Sequence, residues 1–480
     1  MKRAANRPEQ KMEQNGRSAI RLWAVLFWLF VWEAASLAVG SQILLVSPLQ
    51  AAWRLLELLP QPEFWSAVFF SFCRISGGFF LAAAAGVLLA VLAARFARIE
   101  ELLAPLMLAV KTIPVASFII LALIWFSSRS LSVFISFLMV LPVVYTNVSG
   151  GIRSLDRSLL EMAELFRIPC LRRIRYIDLP QVLPYFQTAC GISLGLCWKS
   201  GIAAEVIGMP DGSIGERLQQ AKVYLDTPDL FAWTFVIVAI SLGFEKLVLF
   251  LLRRCAAALQ TDTLTGGKAV LNPTQGDAQP LICVKNLCKA YHGKEVLNHL
   301  NLRIQKGEIT ALMAPSGWGK TTFLRILAGL EEPDAGEITG LEGSRFSAVF
   351  QEDRLCPGLS APLNIRLVNP GHSAAEVLGR MEALGLSDCA EQPVFEFSGG
   401  MKRRTAILRA LLAEYDVLFL DEPFKGLDLE TRAQVLRVFR EMTVEKTILF
   451  VTHEPEEAQA LGAKIIRLPE AAHPADTQKM

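Results

Sequence analysis

The segment MAPSGWGKTTF, at residues 313–323, has the residue types and the spacing of a loop that holds phosphate. Backbone N–H groups from Ser316 to Lys320 can wrap a β-phosphate, and the start of the following helix adds partial positive charge. The Lys320 ammonium can reach the β- and γ-phosphate oxygens, and the Thr321 hydroxyl can ligate Mg²⁺. A strand-like run, ITALM, precedes the loop and a helical pattern follows it, as such a loop requires. The segment therefore predicts a site for ATP and Mg²⁺.

Ala314 stands where a loop of this kind usually has its first glycine. A methyl group is tolerated there if the residue keeps a negative φ, and we expect Gly317 and Gly319 to be the positions of close approach. We therefore expect the chain to hydrolyse ATP with alanine at this position. The residues of this segment that we expect to contact ATP are Ala314, Pro315, Ser316, Gly317, Trp318, Gly319, Lys320, Thr321 and Thr322.

Two other strand-like runs end in side chains that suit the same chemistry. The apolar run of DVLFLDEPF ends at Asp421 and Glu422. Asp421 can hold Mg²⁺ through water, while Glu422 can polarise the attacking water. VFQED supplies Gln351 as a ligand for water or Mg²⁺. The predicted magnesium ligands are therefore Thr321, Gln351 and Asp421.

Two further segments suit the terminal phosphate. FSGGMKRR opens a helix with Ser398, Gly399 and Gly400, whose small side chains and free amides suit a γ-phosphate approached from another subunit. VTHEPEEA places His453 just after a strand, where its side chain can contact the γ-phosphate. The predicted catalytic residues are Lys320, Glu422 and His453.

The apolar residues crowd before about residue 252, although they make up 52% of the whole chain. A stretch of about 20 apolar residues, at about 1.5 Å of rise each, spans about 30 Å of hydrocarbon. The first such stretch follows a basic tail, as a cleaved signal peptide would. It is longer than the apolar core of a signal peptide, so we interpret it as a membrane span. The six candidate membrane spans are residues 20–40, 76–94, 113–126, 131–148, 183–207 and 230–252.

Charge placement predicts how the spans are oriented. Lysine and arginine concentrate in the amino-terminal tail and in the second and fourth loops, while the alternate loops carry few. By the positive-inside rule, both ends of a six-helix domain then lie in the cytoplasm, where ATP is available. The formal net charge of +2 indicates no nucleic-acid partner. The nine cysteines have no zinc-binding spacing, and we expect them to be reduced.

Lys199 lies inside the fifth apolar segment, beside Trp198 and six residues before Glu205. An ionisable side chain at that depth is costly, so it usually faces a cavity or a partner. Lys199 could line a substrate path and attract an anionic solute, or it could form an interhelical salt bridge or reach the membrane surface. Side chains six residues apart do not lie on the same face of a helix, so this spacing does not favour pairing of Lys199 with Glu205.

The loop before the fifth span, EMAELFRIPCLRRIRYIDLPQVLP, carries a further pattern. It resembles the coupling loop of binding-protein-dependent ABC importers, written E-A-A-x-x-x-G followed by I-x-L-P. Met162 and Arg167 depart from that pattern, and an arginine needs space that a glycine does not. The matching residues are Glu161, Ala163, Ile177, Leu179 and Pro180.

The resemblance extends to both halves of the chain. Residues 64–252 resemble the permeases of the nitrate, sulfonate, taurine and bicarbonate group, in pieces such as KTIPVASFIILALIWF. Residues 281–469 resemble the ATP-binding subunit of ABC transporters. Phe397 and Met401 differ from the commonest signature, L-S-G-G-Q, and Lys425 and Gly426 differ from the usual S-A-L-D. This resemblance implies that Tyr291 stacks on adenine and that Gln351 senses the coupling loop. It implies a signature motif at Ser398, Gly399, Gly400 and Met401, and a loop that crosses between ATP sites and ends at Asp428. It also implies that Glu422 is the catalytic base and His453 the switch histidine.

We therefore expect a multidomain chain, with an all-α six-helix transmembrane permease followed by an α/β P-loop NTPase domain. ALQTDTLTGGKAVLNPTQGDAQP lies between them and has the composition of a flexible linker. The expected parts are a cytoplasmic tail at 1–19, a permease domain at 20–257 with the coupling loop at 157–180, the linker at 258–280, an ATP-binding domain at 281–469 and a tail at 470–480.

The resemblance implies an ATP-driven importer of a small anionic solute in the cytoplasmic membrane of a prokaryote. The chain has one phosphate loop and one signature, so a homodimer completes the machine most simply, with a related half-transporter as the alternative partner. A separate extracellular binding protein would deliver the solute. An exporter or lipid flippase, and a signalling complex that hydrolyses ATP without moving solute, remain as alternative functions.

Overall fold

The computed structural model of this protein describes residues 22–41, 43–259, 280–315 and 317–468. The described chain forms two compact units, one from the ranges Met1–Arg153 and Pro184–Arg254 and the other from Ser154–Leu183 and Cys255–Met480. The coupling loop therefore belongs to the same unit as the ATP-binding part. The predicted tails at 1–19 and 470–480, Ser316 and most of the predicted linker lie outside the described residues.

Helices dominate the described chain up to residue 259. They are α1 (Leu22–Val39), α2 (Pro48–Leu58), α3 (Pro62–Arg95), α4 (Ala97–Thr112), α5 (Val115–Ala122), α6 (Ser128–Arg153), α7 (Arg157–Leu165), α8 (Cys170–Arg173), α9 (Leu179–Gly208), α10 (Ile214–Val223) and α11 (Thr227–Leu259). A π-helical turn, Ile174–Asp178, joins α8 to α9, so the helical path runs without a break from Cys170 to Gly208.

Five of the described helical segments are long and apolar enough to cross a membrane. They are Leu22–Val39, Pro62–Arg95, Ser128–Arg153, Cys170–Gly208 and Thr227–Ala258. The pair α4 and α5 passes the same test jointly, which raises the number to six if the pair counts as one span. The expected all-α permease is confirmed, and five or six of its helices are long and apolar enough to span the membrane.

The predicted third span, residues 113–126, contains one helix, α5, which has eight residues and is too short to cross a membrane by itself. The chain bends by 104° between α4 and α5, so this part is either a broken span or a re-entrant segment. Pro114 explains the bend, because it has no N–H to donate and disfavours helical geometry in the residue before it. Ile113 accordingly has an extended backbone, with φ −75° and ψ 131°.

The second span was predicted to begin at residue 76, but α3 begins at Pro62. Proline suits the first turn of a helix, where its missing N–H would have no helical partner. Phe64, Ala67, Ser71 and Ile75 are buried at intervals of three and four residues, which places them on one face of α3. The charged residues Glu63 and Arg74 lower the apolar signal of this first part, so the sequence pattern begins too late.

Glycines allow α3 and α6 to pack closely. A Cβ atom on Gly78 would lie 2.6 Å from the carbonyl oxygen of Val133, and one on Gly86 would lie 2.9 Å from Cγ1 of Val144. Both distances are too short for a side chain, so only glycine fits without movement. Small residues at helix contacts are a common way to bring membrane helices together, because dispersion contacts must replace the hydrophobic effect there.

The described chain from residue 280 onward is an α/β domain. Its elements are β1 (Pro280–Tyr291), β2 (Lys294–Gln305), β3 (Ile309–Met313), α12 (Lys320–Leu327), β4 (Ala335–Thr339), β5 (Phe346–Val349), α13 (Ala361–Val368), α14 (Ala374–Ala383), α15 (Gly399–Leu412), β6 (Val417–Asp421), α16 (Leu429–Met442), β7 (Thr447–Val451), α17 (Pro455–Ala460) and β8 (Lys464–Arg467), with 3₁₀ turns at Ser387–Cys389 and Val394–Glu396.

The strands of this domain form two sheets. Strands β2, β1 and β4 form an antiparallel sheet, and a parallel sheet has the order β5-β6-β7-β3-β8. Every residue of β6 and β7 is buried, which explains why both read as continuous apolar runs. Segments that follow parallel strands start at the same edge of the sheet, where ligands of open α/β sheets usually bind. The expected α/β fold is confirmed.

Candidate functional site

The phosphate loop joins β3 to α12. Gly317 and Gly319 have φ values of +82° and +95°, while Ala314 keeps a φ outside the positive range. Lys320 begins α12 and is buried, and its Nζ donates hydrogen bonds to the carbonyl oxygens of Ala314 (2.8 Å) and Pro315 (2.9 Å). Burial lowers the pKa of the Lys320 ammonium. The two glycines thus give the loop its left-handed turns, and the Lys320 side chain is hydrogen-bonded to the carbonyl groups of the loop itself.

Gly319 is the tightest position in the loop. A Cβ atom there would lie 2.6 Å from Cγ1 of Val296 and 3.0 Å from the carbonyl oxygen of the same residue on β2. Gly317 has open space around it, so its requirement comes from φ alone. Gly319 is therefore required by both its close contacts and its φ, and Gly317 by its φ alone. Ala314 does not have a positive φ and needs no glycine.

These geometries give a first prediction. We expect Ala314→Gly to change the ATPase kcat by less than about twofold, because Ala314 needs no glycine conformation and the added chain entropy is small. We expect Gly319→Ala to lower kcat/KM more than about tenfold, because it combines a clash with a strained φ. Steady-state ATPase assays on both purified variants test this. A strong gain from Ala314→Gly would contradict the view that the alanine is tolerated.

The predicted magnesium ligands come from three different elements. The Thr321 hydroxyl on α12 donates a 2.7 Å hydrogen bond to Oδ2 of Asp421 at the end of β6. Gln351, just after β5, lines the same cleft of about 210 Å³. Hydroxyl, amide and carboxylate oxygens are the hard donors that Mg²⁺ prefers, and two or three protein ligands suffice when phosphates supply others. The residues present therefore fit Mg²⁺.

Asp421 and Glu422 are neighbours with opposite electrostatic surroundings. Burial raises the pKa of the Asp421 carboxyl. The hydrogen bond from Lys425 Nζ to Oε2 of Glu422, at 2.6 Å, lowers the pKa of the Glu422 carboxyl. Nε2 of His453, which follows β7, lies 3.2 Å from Oε1 of Glu422. Two of the predicted catalytic side chains, Glu422 and His453, are thus in contact.

Glu422 has an unusual backbone conformation for a glutamate. Its φ is +46°, in the left-handed region that glycine prefers. Its N–H donates a 3.0 Å hydrogen bond to the carbonyl oxygen of Val451 on the neighbouring strand. A conformation of this kind costs about 1–3 kcal/mol and persists where the surrounding structure fixes it. The strand pair therefore determines the direction in which this carboxylate leaves the sheet.

Arg403 is a site residue that the sequence analysis missed. Its buried guanidinium donates to the carbonyl oxygens of Phe350, Gln351, Asp421, Glu422 and Pro423 and contacts Asp353. One side chain of α15 therefore fixes both the segment after β5 and the turn after β6. Its place three residues after Gly400 was the only sequence signal, and nothing in it marked this arginine over the adjacent Arg404.

The predicted signature motif forms the start of α15. Ser398 is the N-cap residue, and its hydroxyl accepts a hydrogen bond from the Met401 N–H at 3.3 Å. Ser398 and Gly399 are exposed, and Gly400 and Met401 are partly buried. A Cβ atom on Gly399 would meet no heavy atom within 4 Å. This helix start is open to a ligand from outside, as the predicted contact with another subunit's ATP requires.

Two other predicted ATP-site residues lie at the borders of the domain. Tyr291 ends β1 and is 40% exposed, and Lys289 Nζ lies 5.6 Å from the centroid of its ring. Asp428 caps α16 by accepting bonds from the Thr431 N–H (3.0 Å) and hydroxyl (2.8 Å). The backbone bond lowers the pKa of the Asp428 carboxyl. Adenine stacking by Tyr291 and the inter-site role of Asp428 stay predictions.

The coupling loop contacts the ATP-binding part through Glu161. Its Oε1 and Oε2 accept from Nη2 and Nη1 of Arg325 at 2.8 and 2.9 Å. Nη1 of Arg354 also lies 2.8 Å from Oε2 of Glu161. The hydrogen bonds from Arg325 lower the pKa of the Glu161 carboxyl. The sequence analysis singled out Glu161 and missed both arginines.

Apolar packing supports this contact. Ala163 on α7 and Ile177 in the π-helical turn are buried with Leu359 and Leu363 of the ATP-binding part. Leu179 and Pro180, at the start of α9, are partly buried. Ala163 and Ile177 therefore pack against the ATP-binding part, and Glu161 carries the charge.

Arg167 occupies the glycine position of the coupling-loop pattern at the end of α7. Its φ is +49°, so the turn has the left-handed conformation that explains the glycine in the pattern. The side chain has the space that it needs, because Nη2 reaches the carbonyl oxygen of Ser344 at 2.8 Å. Arg167 thus keeps the left-handed turn at a conformational cost, and its side chain adds a polar contact to the ATP-binding part.

Lys199 is exposed on α9, and among the described residues it has no ion-pair partner. Glu205 is fully buried on the same helix, where its Oε2 accepts from the Ser71 hydroxyl (2.6 Å) and the Gly215 N–H (3.4 Å). The two side chains therefore do not pair with each other. A role of Lys199 in the substrate path stays a prediction.

A parallel sheet with a phosphate loop at its edge, joined to a helical part with membrane-spanning helices, defines a membrane-bound P-loop NTPase. Residues 86–258 match the family described as the binding-protein-dependent transport system inner membrane component, and residues 297–425 match the ABC transporter family.

Curated relatives are similar to the second half of the chain. Aliphatic sulfonates import ATP-binding protein SsuB 2 of Burkholderia cenocepacia is 35% identical over 209 residues, covering 41% of this chain and 77% of that protein. SsuB 1 of Pseudomonas savastanoi pv. phaseolicola is 39% identical over 181 residues, covering 37% of this chain and 76% of that protein. The dimeric structure of MJ0796, a bacterial ABC transporter cassette, is 28% identical with a TM-score of 0.35, covering 39% of this chain and 94% of that one.

The chain belongs to the ABC transporter family, and it joins a permease part and an ATP-binding part in one polypeptide. It is a membrane protein that hydrolyses ATP to drive transport. The expected family, fold class and enzymatic activity are confirmed.

Proposed function

We propose that this chain is one half of a homodimeric importer in the cytoplasmic membrane of a prokaryote, and that it moves a small anionic solute inward. The observation that carries the proposal is the contact of Glu161 with Arg325 and Arg354. It gives the coupling loop a charged link to the ATP site. The description of the matching permease family and the import named for the relatives support the direction and the separate binding protein.

The position of the two arginines explains how ATP can move the coupling loop. Arg325 lies on α12, the eight-residue helix that starts with Lys320 at the phosphate loop. Arg354 lies in the segment that follows β5, three residues after Gln351. Glu161 therefore holds one residue from each of two elements that border the ATP site. A shift of either element on nucleotide binding or release pulls on the loop, which is continuous in the chain with α6 and α9.

At the ATP site, the residues of this chain have separable roles. Lys320 exchanges its bonds to the carbonyl oxygens of the loop for bonds to phosphate, and Glu422 orients the attacking water and accepts its proton. His453, in contact with Glu422, holds that carboxylate toward the γ-phosphate. Thr321, Gln351 and Asp421 would hold Mg²⁺, which would neutralise charge on the phosphates.

The same geometry supports a homodimer. The chain carries one phosphate loop and one signature motif, and the start of α15 is exposed at Ser398 and Gly399. A second copy would place its own signature at this chain's ATP, and the reverse contact follows from twofold symmetry.

Uptake into proteoliposomes tests the proposal. The purified chain is reconstituted with ATP inside, and candidate binding proteins loaded with a labelled alkanesulfonate, nitrate or sulfate are added outside. An importer accumulates label only with one loaded binding protein and only with hydrolysis. Outward movement without a binding protein would instead indicate an exporter or flippase. Hydrolysis without any movement, across all solutes and binding proteins, would indicate a signalling complex.

A further inference from the structure

Lys425 departs from the commonest pattern of the loop that ends at Asp428, and in the structure its side chain contacts Glu422. Its Nζ lies 2.6 Å from Oε2 of Glu422, three residues earlier in the chain. The mechanism proposed above uses Glu422 and makes no use of Lys425. The contact therefore needs an explanation of its own.

The turn between these residues is fixed without the lysine side chain. The Lys425 N–H donates to the carbonyl oxygen of Glu422 at 3.2 Å, and the Leu427 N–H donates to that of Phe424 at 3.3 Å. Phe424 is fully buried and Leu427 is nearly so, so packing anchors the turn. Gly426 supplies the positive φ of +79° that the turn requires. The lysine side chain, 65% exposed, can therefore leave the carboxylate without unfolding the turn.

Both carboxylate oxygens of Glu422 have a partner in this arrangement. Lys425 holds Oε2, and His453 Nε2 lies 3.2 Å from Oε1. The Glu422 side chain is only 16% exposed, so few orientations are open to it. A carboxylate held on both oxygens must give up or share a contact before it can orient the attacking water.

We propose that Lys425 is a positioning residue that holds the Glu422 carboxylate in a resting orientation and so slows ATP hydrolysis by the idle transporter. The inference rests on the proposed role of Glu422 as the catalytic base. Lys425 lies on the loop that is expected to cross to the other ATP site at Asp428, so closure of the dimer is the step that displaces it. An ion pair with one exposed partner is weak, which allows this release.

The test compares basal ATPase activity of purified full-length chains in nanodiscs. We expect Lys425→Ser to raise kcat about two- to fivefold, the range that the loss of one weak ion pair allows, with little change in KM for ATP. Lys425→Arg keeps a cation within reach of Glu422 and is expected to retain most of the restraint. Lys285→Ser, at an exposed lysine on β1, controls for the loss of one positive charge from the same domain.

The outcomes separate this inference from the proposed function. An unchanged or lowered kcat in Lys425→Ser, with an unchanged thermal midpoint, overturns the restraint. A rise that persists in the Glu422→Gln background overturns it as well, because the lysine would then act elsewhere. If Glu422→Gln alone leaves hydrolysis intact, the assigned base is wrong, and the inference fails together with that part of the proposed function.

Discussion

Glu422→Gln is expected to lower the ATPase kcat of the purified transporter by about 100- to 10,000-fold, the range that loss of a general base produces. The amide keeps the size of the side chain and can still bond to water, but it cannot accept the proton. ATP binding should persist, because Lys320 and the loop around it are untouched. Steady-state hydrolysis, together with equilibrium binding of ATP, measures both parts of this expectation.

Glu430→Gln is the matched control, since Glu430 is an exposed glutamate in the first turn of α16. We expect this variant to hydrolyse ATP at close to the rate of the unmodified chain. Retained hydrolysis in Glu422→Gln would contradict the assignment and would point to another base at the edge of the sheet. Lost hydrolysis with lost ATP binding would indicate damage to the site as a whole.

Glu161→Ala is expected to reduce solute transport more than about tenfold while basal ATPase stays within about twofold. The substitution leaves Arg325 and Arg354 without the carboxylate that both contact, at a cost of about 2–3 kcal/mol for the lost charged hydrogen bonds. The phosphate loop and Glu422 keep their surroundings. Stimulation of hydrolysis by a loaded binding protein should disappear, because the permease can no longer signal to the ATP site.

Glu164→Ala controls for the second prediction, because Glu164 is an exposed glutamate on the same helix, α7. Its removal should leave the ratio of solute moved to ATP hydrolysed unchanged. A loss of coupling in both variants would attribute the effect to the helix in general. Full transport by Glu161→Ala would show that apolar packing of the loop suffices for coupling.

The electrostatics of Glu161 also predict a pH dependence. Arg325 holds the pKa of this carboxyl below its ordinary value of 4.5. The contact therefore contributes its full stability above about pH 4.5 and loses it as pH falls through the lowered pKa. We expect the coupling ratio to be constant between about pH 6 and 8, apart from effects at other groups. A titration of coupling in that interval would require a group other than Glu161.

Much of the ATP site could be predicted because its residues follow local patterns. The phosphate loop, Gln351 and His453 each lie within two residues of the end of a parallel strand, and Asp421 is the last residue of one; short apolar runs reveal such strands. Parallel strands bring their carboxyl ends to one edge, so the assembly of these residues followed from the fold class. The bend at Pro114 was harder to predict, because the apolar pattern continues through it.

The sequence by itself determined the two-part plan of this protein, the phosphate loop and the order of the residues around it. Only the tertiary structure decided which charges meet. Glu161 and Arg325 are 164 residues apart, and neither helix periodicity nor strand alternation relates positions at such a distance. The buried bonds of Arg403 and the hold of Lys425 on Glu422 depend likewise on turns fixed by packing elsewhere. Local patterns reveal the elements, and the contacts between them arise from the packing of the chain as a whole.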